Sequence, residues 1–179
     1  HPQACSKVGR NTVHHKVCAK VGNIVAQLLK NTSTSVRMEQ PIAAHLKPGQ
    51  IVERPRSDLT ISNPITNFKQ EVDFTFCIVQ ENGSHKTPTV HMAEERKTKH
   101  YGAKYNFPNT VKLVPAAIDT LGRWGDSLEA WVKMIAQLGS ITHQNYAFNV
   151  RRLRTVIAVA HANALGDQMC KYLREGNLQ

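Results

Sequence analysis

The sequence has no apolar run near the ~20 residues that cross a bilayer, and its first residues carry no signal-like apolar core. No membrane partner is therefore expected. Acidic residues are scarce: 13 Asp and Glu stand against 23 Lys and Arg, a formal charge of +10. That balance argues against an acidic small molecule as the main partner and for a polyanion. Cysteines are few and scattered (Cys5, Cys18, Cys77, Cys170), without a CxxC pair. That spacing argues against a disulfide framework and for a reducing compartment. Internal repeats and low-complexity segments are missing too. Methionine does not open the chain; His1 does, which predicts a fragment or trimmed polypeptide.

What is present suits one domain of ordinary size: 179 residues, 41% of them hydrophobic. Residues 1–13 are polar, include Gly9, and read as an arm or loop. Val17, Val21, Ile24, Val25, Leu28 and Leu29 recur at helical spacing and predict an amphipathic helix over 14–30. Short strands are predicted at 35–40 and 58–62, closed by Pro41 and by Asn63-Pro64. Residues 71–79 form the strongest strand signal, β-branched and aromatic throughout. A turn at Gly83-Ser84 follows, then a basic helix over 93–105. A further strand at 111–118 contains Pro115, which places it near a sheet edge or bulge. Asp126 or Ser127 is positioned to cap a helix through Leu128, Trp131, Val132, Ile135 and Leu138. A last helix over 145–164 carries Arg151, Arg152 and Arg154. This order gives an α/β core with a helical tail.

Two carboxylates stand out. Asp58 opens a strand soon after Arg54-Pro55, and Asp73 lies inside the next strand, where Asp73 and Thr75 alternate with Phe74 and Phe76. Paired as neighbours, those strands can bring both carboxylates to one place. A half-buried aspartate is costly unless its charge is matched. A divalent cation does this, since Mg²⁺ is held by one or two carboxylates plus waters and phosphate oxygens. The competing reading is that Asp58 caps a turn and Asp73 salt-bridges a lysine. Glu39 is a candidate third acidic ligand. The run 93–101 offers cations for a scissile phosphate, Lys97 among them, with Lys104 on the same helical face and His100 and Tyr101 between. A merely solvated basic helix is the competing reading there.

The order of these features resembles the restriction-endonuclease-like domain, of the PD-(D/E)xK type, that follows the reverse transcriptase in site-specific non-LTR retrotransposons. Similar to that family are His14 at the first helix, Glu39-Gln40-Pro41 at a strand end, Arg54-Pro55 with Asp58, and Glu71-Val72-Asp73-Phe74-Thr75-Phe76. The helix with Lys97 and Tyr101 also matches, as does the segment from Val114 through Gly122-Arg123-Trp124-Gly125, the closest of all. Ala162-Asn163-Ala164 resembles the family's last helix. There are departures. One extra residue separates Arg54-Pro55 from Asp58, Thr75 stands where standard nucleases of the fold carry lysine, and His100 and Arg123 replace a basic residue and a glycine.

The resemblance implies a restriction-endonuclease-like core, a mixed sheet flanked by helices, over 14–125, with an N-terminal arm over 1–13 and a C-terminal helical extension over 126–179. It implies an endonuclease that nicks DNA to prime reverse transcription. The metal would be Mg²⁺ (or Mn²⁺) at Asp58 and Asp73, with Lys97 as catalytic lysine. His1 and Cys5 resemble the last two ligands of the family's zinc knuckle, so the chain alone offers at most half a zinc site unless His14, His15 or Cys18 contributes, and Zn²⁺ is expected only with upstream ligands. Arg54, Arg96, Lys99, His100, Lys104, Arg151, Arg152 and Arg154 are candidate nucleic-acid contacts. Expected partners are target DNA, RNA, and the rest of a reverse-transcriptase polypeptide or a ribonucleoprotein. The location would be intracellular: nuclear for a retrotransposon protein, an organelle for a domesticated one. The alternative is an inactive copy that binds nucleic acid as a structural component.

Overall fold

A computed structural model describes residues 7–42, 44–49, 56–77, 90–140 and 143–176. The expected turn at Gly83-Ser84 and the site residues His1, Cys5 and Arg54 lie outside these.

Helix α1 (Lys7–Leu29) is followed by strands β1 (Ser35–Pro41), β2 (His45–Leu46), β3 (Arg56–Asn63) and β4 (Phe68–Cys77). Helix α2 (Val90–Lys104), strands β5 (Tyr105–Asn106) and β6 (Val111–Asp119), and helices α3 (Asp126–Leu138) and α4 (His143–Gly176) complete the order. The result is a mixed α/β fold. Its main sheet runs β1-β3-β4-β6, with β1–β3 and β3–β4 antiparallel and β4–β6 parallel. Pro115 falls in β6, the edge strand, where a missing N–H breaks no ladder on the open side.

Two helix boundaries and one strand pair depart from the sequence expectation. The arm read over 1–13 is helical from Lys7, because the apolar period begins only at Val17 and leaves no mark on the turns before it. Helix α4 runs to Gly176 rather than 164. The pair β2–β5, His45↔Asn106 and Leu46↔Tyr105, was not foreseen, since two residues are too few to show a period of two.

Strand alternation divides the sheet into two faces. Leu59 and Ile61 of β3, Val72 and Phe74 of β4, and Ala116 and Ile118 of β6 join one apolar cluster with α1, α3 and α4. Val17, Val21, Val25 and Leu29 supply the α1 stripe, and Trp131 meets Phe74 edge-on at 6.1 Å. Helix α2 covers the opposite face, where Ala93 packs on Cys77 and Ala117. Between β3 and β4, the Asn63 Oδ1 accepts the amides of Ile65 (3.0 Å) and Thr66 (3.2 Å), and Asn67 takes φ +48°, a conformation asparagine tolerates.

The expected side-chain cap of α3 from Asp126 or Ser127 is replaced. Gly125 occupies the cap position, and the Glu94 carboxylate of α2 accepts the amides of Ser127 (3.0 Å) and Leu128 (3.3 Å). A second helix thus satisfies the orphan donors at the start of α3. A Cβ at Gly125 would sit 2.0 Å from Glu94 Oε1, which explains the glycine by close approach.

Candidate functional site

The sheet forks at its centre. The β3–β4 register ends at Leu59↔Val72. Beyond it β3 continues beside β1, through Gln40↔Ser57, while β4 continues beside β6, through Cys77↔Asp119. Asp58 and Asp73 are the next residues on either prong. Asp58 Oδ2 accepts the amide of Phe74 at 2.6 Å in place of a ladder bond. The fork therefore sets Asp58 and Asp73 at the root of its two prongs, one residue beyond the last β3–β4 pair.

Each carboxylate is held from a different helix. His14 Nε2 of α1 lies 3.1 Å from Asp58 Oδ2. From α2, Lys97 Nζ donates to Asp73 Oδ2 at 2.6 Å and the Tyr101 hydroxyl at 2.7 Å. Lys97 and Tyr101 share a face because they are four residues apart, and the ammonium lies 5.8 Å from the tyrosine ring centroid. Both earlier readings of Asp73 meet here: the lysine it salt-bridges is the candidate catalytic lysine. Asp58 caps no turn.

The electrostatics bind these groups into one unit. Burial, then the charge and hydrogen bond of Asp73 and the charge of Asp58, push the Tyr101 hydroxyl far up, so it stays protonated and donates. Burial also pulls His14 down, but the Asp58 hydrogen bond and the charges of Asp58 and Asp73 outweigh it, and the net shift is upward. The Cys18 thiol is pushed strongly up by burial first and by Asp58, Asp73 and Glu39 next. One helical turn separates Cys18 from His14, and its Sγ lies 3.8 Å from Nδ1 and 3.9 Å from Nε2. A cleft of about 280 Å³ opens beside Asp58 between α1 and β1.

Other candidate residues are placed less centrally. Glu39 reaches the same cleft, but its Oε1 is 2.9 Å from His15 Nδ1, and it is half exposed with φ +50°. It joins His15 rather than the carboxylate pair. Arg96, Lys99 and His100 are exposed on α2, with Lys99 3.8 Å from Glu95 and His100 edge-on to Tyr101. Lys104 ends the same helix, half-buried. Arg151, Arg152 and Arg154 lie on α4, which packs chiefly on α1 and α3. Arg154 is ion-paired with Glu129, and Arg152 donates to Gln27 at 3.0 Å. Gln27 stands roughly 20 Å along α1 from His14, at ~1.5 Å per residue, so these arginines are not part of the fork.

Several residues escaped the sequence reading of the site. Glu71, fully buried two residues before Asp73 and on its face, accepts Ser57 Oγ (2.6 Å) and Thr60 Oγ1 (2.7 Å) and pairs with Lys69 at 2.8 Å. Its spacing of two from Asp73 was the available signal. Cys18, considered from the sequence only as a substitute ligand for the zinc knuckle, had a further signal in its spacing of four from His14. Arg123, a departure from the resembled glycine, has a local role: its amide and guanidinium bind Asp119. Burial pushes that carboxyl up, but these bonds and the Leu121 amide outweigh it and hold it below the ordinary carboxylate range.

Compared with known protein families and with curated proteins, the chain matches none.

The donor set at the fork suits a hard divalent cation. Asp58 and Asp73 present oxygen donors from neighbouring strands, and a carboxylate has about four lone-pair sites, so two bonds on Oδ2 do not exhaust either one. Two carboxylates plus waters and substrate oxygens is the way Mg²⁺ is usually held. Two residues from Asp73 on the same face, the Thr75 hydroxyl is buried and without a partner among the described residues.

Proposed function

We propose that the chain is a metal-dependent phosphodiesterase of restriction-endonuclease-like fold that nicks DNA, within a polypeptide of the retrotransposon type it resembles. One observation carries the reading: Asp58 and Asp73 begin the two prongs of the forked sheet, and Lys97 donates to Asp73 at 2.6 Å. Asp58 and Asp73 would hold Mg²⁺ or Mn²⁺, which when bound activates water and offsets charge on the oxygens of a phosphodiester.

The chain's own residues do the rest. Tyr101 and Lys97 fix the Asp73 carboxylate through Oδ2, leaving its other lone pairs for a cation. His14 and the Phe74 amide fix Asp58 in the same way. Lys97, partly exposed at 31%, has an ammonium able to meet both Asp73 and an incoming phosphate. The charge of +10 supplies attraction for the polyanion.

A second reading has an observation of its own. Asp73 is matched by Lys97 and Tyr101, and Asp58 by His14 and a backbone amide. Such a closed set also fits a DNA- or RNA-binding structural component in which the carboxylates serve only the fold.

Plasmid nicking in Mg²⁺ decides between them. The wild type is expected to nick, and Asp73→Ala to lose at least about a hundredfold in rate while still binding DNA in a mobility-shift assay. No Mg²⁺-dependent nicking by the wild type, or equal nicking by the variant, removes the nuclease reading.

A further inference from the structure

Asp58 belongs to two clusters. One is the carboxylate pair with Asp73 that the proposed function assigns. The other is His14, Cys18 and Asp58, whose nitrogen, sulfur and oxygen atoms all lie within 4.8 Å of one another. We propose that this second cluster binds a borderline-soft divalent cation of the Zn²⁺ class, and that such a cation takes Asp58 away from the carboxylate pair.

The geometry is close to what coordination requires. With Zn–S near 2.3 Å and Zn–N or Zn–O near 2.0–2.1 Å, the edges of a tetrahedron come to about 3.3–3.6 Å. His14 Nε2 is 3.1 Å from Asp58 Oδ2 and 3.9 Å from Cys18 Sγ, each a few tenths of an ångström from such an edge, and the third edge, from Cys18 to Asp58, lies within 4.8 Å. The scaffold favours this. His14 and Cys18 are one turn apart on α1 and share a face, and β3 presents Asp58 from a neighbouring layer. The same residues line the cleft beside β1, which leaves the fourth vertex open to water and gives the ion an entry path. His15 and Glu39 flank that cleft, bonded to each other at 2.9 Å.

Donor chemistry selects the ion. A thiolate and an imidazole suit Zn²⁺, Co²⁺ or Cu, whereas Mg²⁺ prefers oxygen alone. Binding must release the thiol proton to solvent, since the thiolate is the ligand. The site needs none of the chain before Lys7, unlike a knuckle built on His1 and Cys5. The consequence for cleavage rests on the nuclease reading; the metal binding does not.

The test uses the full chain, freed of metal and titrated with Co²⁺ and then Zn²⁺. A thiolate-to-cobalt charge-transfer band is expected, unaffected by Cys5→Ser and abolished by Cys18→Ser. X-ray absorption at the zinc edge of the wild type should show a single sulfur among nitrogen and oxygen neighbours. A band that survives Cys18→Ser or vanishes with Cys5→Ser overturns the site, as does a zinc shell with no sulfur or several. Because the zinc shell is read on the wild type, it decides the matter even if Cys18→Ser folds poorly. Sharing of Asp58 is read separately, in Mg²⁺-driven nicking. The Zn²⁺ concentration that halves each protein's rate should rise at least about tenfold in Cys18→Ser, and an unchanged concentration refutes the sharing. A chain that never nicks sinks the nuclease reading alone, since the cobalt and zinc spectra do not depend on it.

Discussion

Lys97 shows how much one side chain carries. Its Nζ donates to a carboxylate that is only 8% exposed, so Lys97→Ala leaves Asp73 with the Tyr101 hydroxyl as its remaining side-chain donor among the described residues. Uncovering a buried carboxylate in this way should cost about 1–3 kcal/mol of stability. On the nuclease reading, turnover should fall far more than DNA affinity; a large affinity loss at normal turnover would recast Lys97 as a phosphate anchor. A second residue predicts a pH dependence. His161 is almost fully buried, stacked on Phe76 with ring centroids 5.4 Å apart, and its Nε2 has no partner among the described residues. Burial holds its pKa below the ordinary value, against the opposing charge of Asp119. The unfolded chain thus takes the proton more readily than the folded one. The neutral ring's contribution is complete above about pH 6.5 and drains away as pH falls toward the lowered folded value, by at most ~1.4 kcal/mol per pH unit. His14, shifted upward, contributes in the other sense: its share is complete below about 6.5 and lost as pH rises through the folded value. Replacing His161 with Phe should therefore close part of the gap between melting temperatures at about pH 5.5 and 7.5; an undiminished gap would show that the ring is not responsible. Asp58, Asp73 and Lys97 were legible as residue types on strands and a helix, whereas the His14 and Tyr101 bonds depend on helix placement that no local pattern records.

Among the elements, α3 is held by α2 through Glu94, a carboxylate that a reading of either helix alone assigns to a solvated basic run. Glu94 is 5% exposed and meets the amides of Ser127 and Leu128, and more distantly that of Ala117 at 3.4 Å. Glu94→Ala is expected to cost about 1–3 kcal/mol in denaturant unfolding. Gly125→Ala should be worse, since the added Cβ would overlap the same carboxylate and displace it while leaving its charge buried. Equal stability of Gly125→Ala and wild type would mean Glu94 has another place to go. The sequence announced α3 and β4 well, because their apolar periods match the faces they bury. It announced the start of α1 and the end of α4 poorly, since those turns lie beyond the periodic stretch that marks each helix. Strand pairing is a relation between distant segments. The fork at Leu59↔Val72, where β3 and β4 part, therefore could not be seen until the register was known.

At the scale of the whole molecule the basic surplus was legible at once, but its distribution was not. The cations of α2 stand beside the fork, whereas Arg151 and Arg152 lie on α4 near the far end of α1. If DNA lies across both regions, the two groups should separate in experiment. A protein that neutralises phosphates loses affinity with salt, each contact adding about 0.9 to the slope of log K against log salt on duplex DNA. Arg151→Gln combined with Arg152→Gln should therefore lower that slope by about two. Nicking at saturating protein should stay at the wild-type rate, because neither residue touches the carboxylates. Lys97→Ala should show the reverse pattern, with a slope changed by one at most and a much slower cut. An unchanged slope in the arginine variant would take α4 off the DNA. A slower cut at saturation would instead mean that DNA bound along α4 is what positions the phosphate at Asp58 and Asp73.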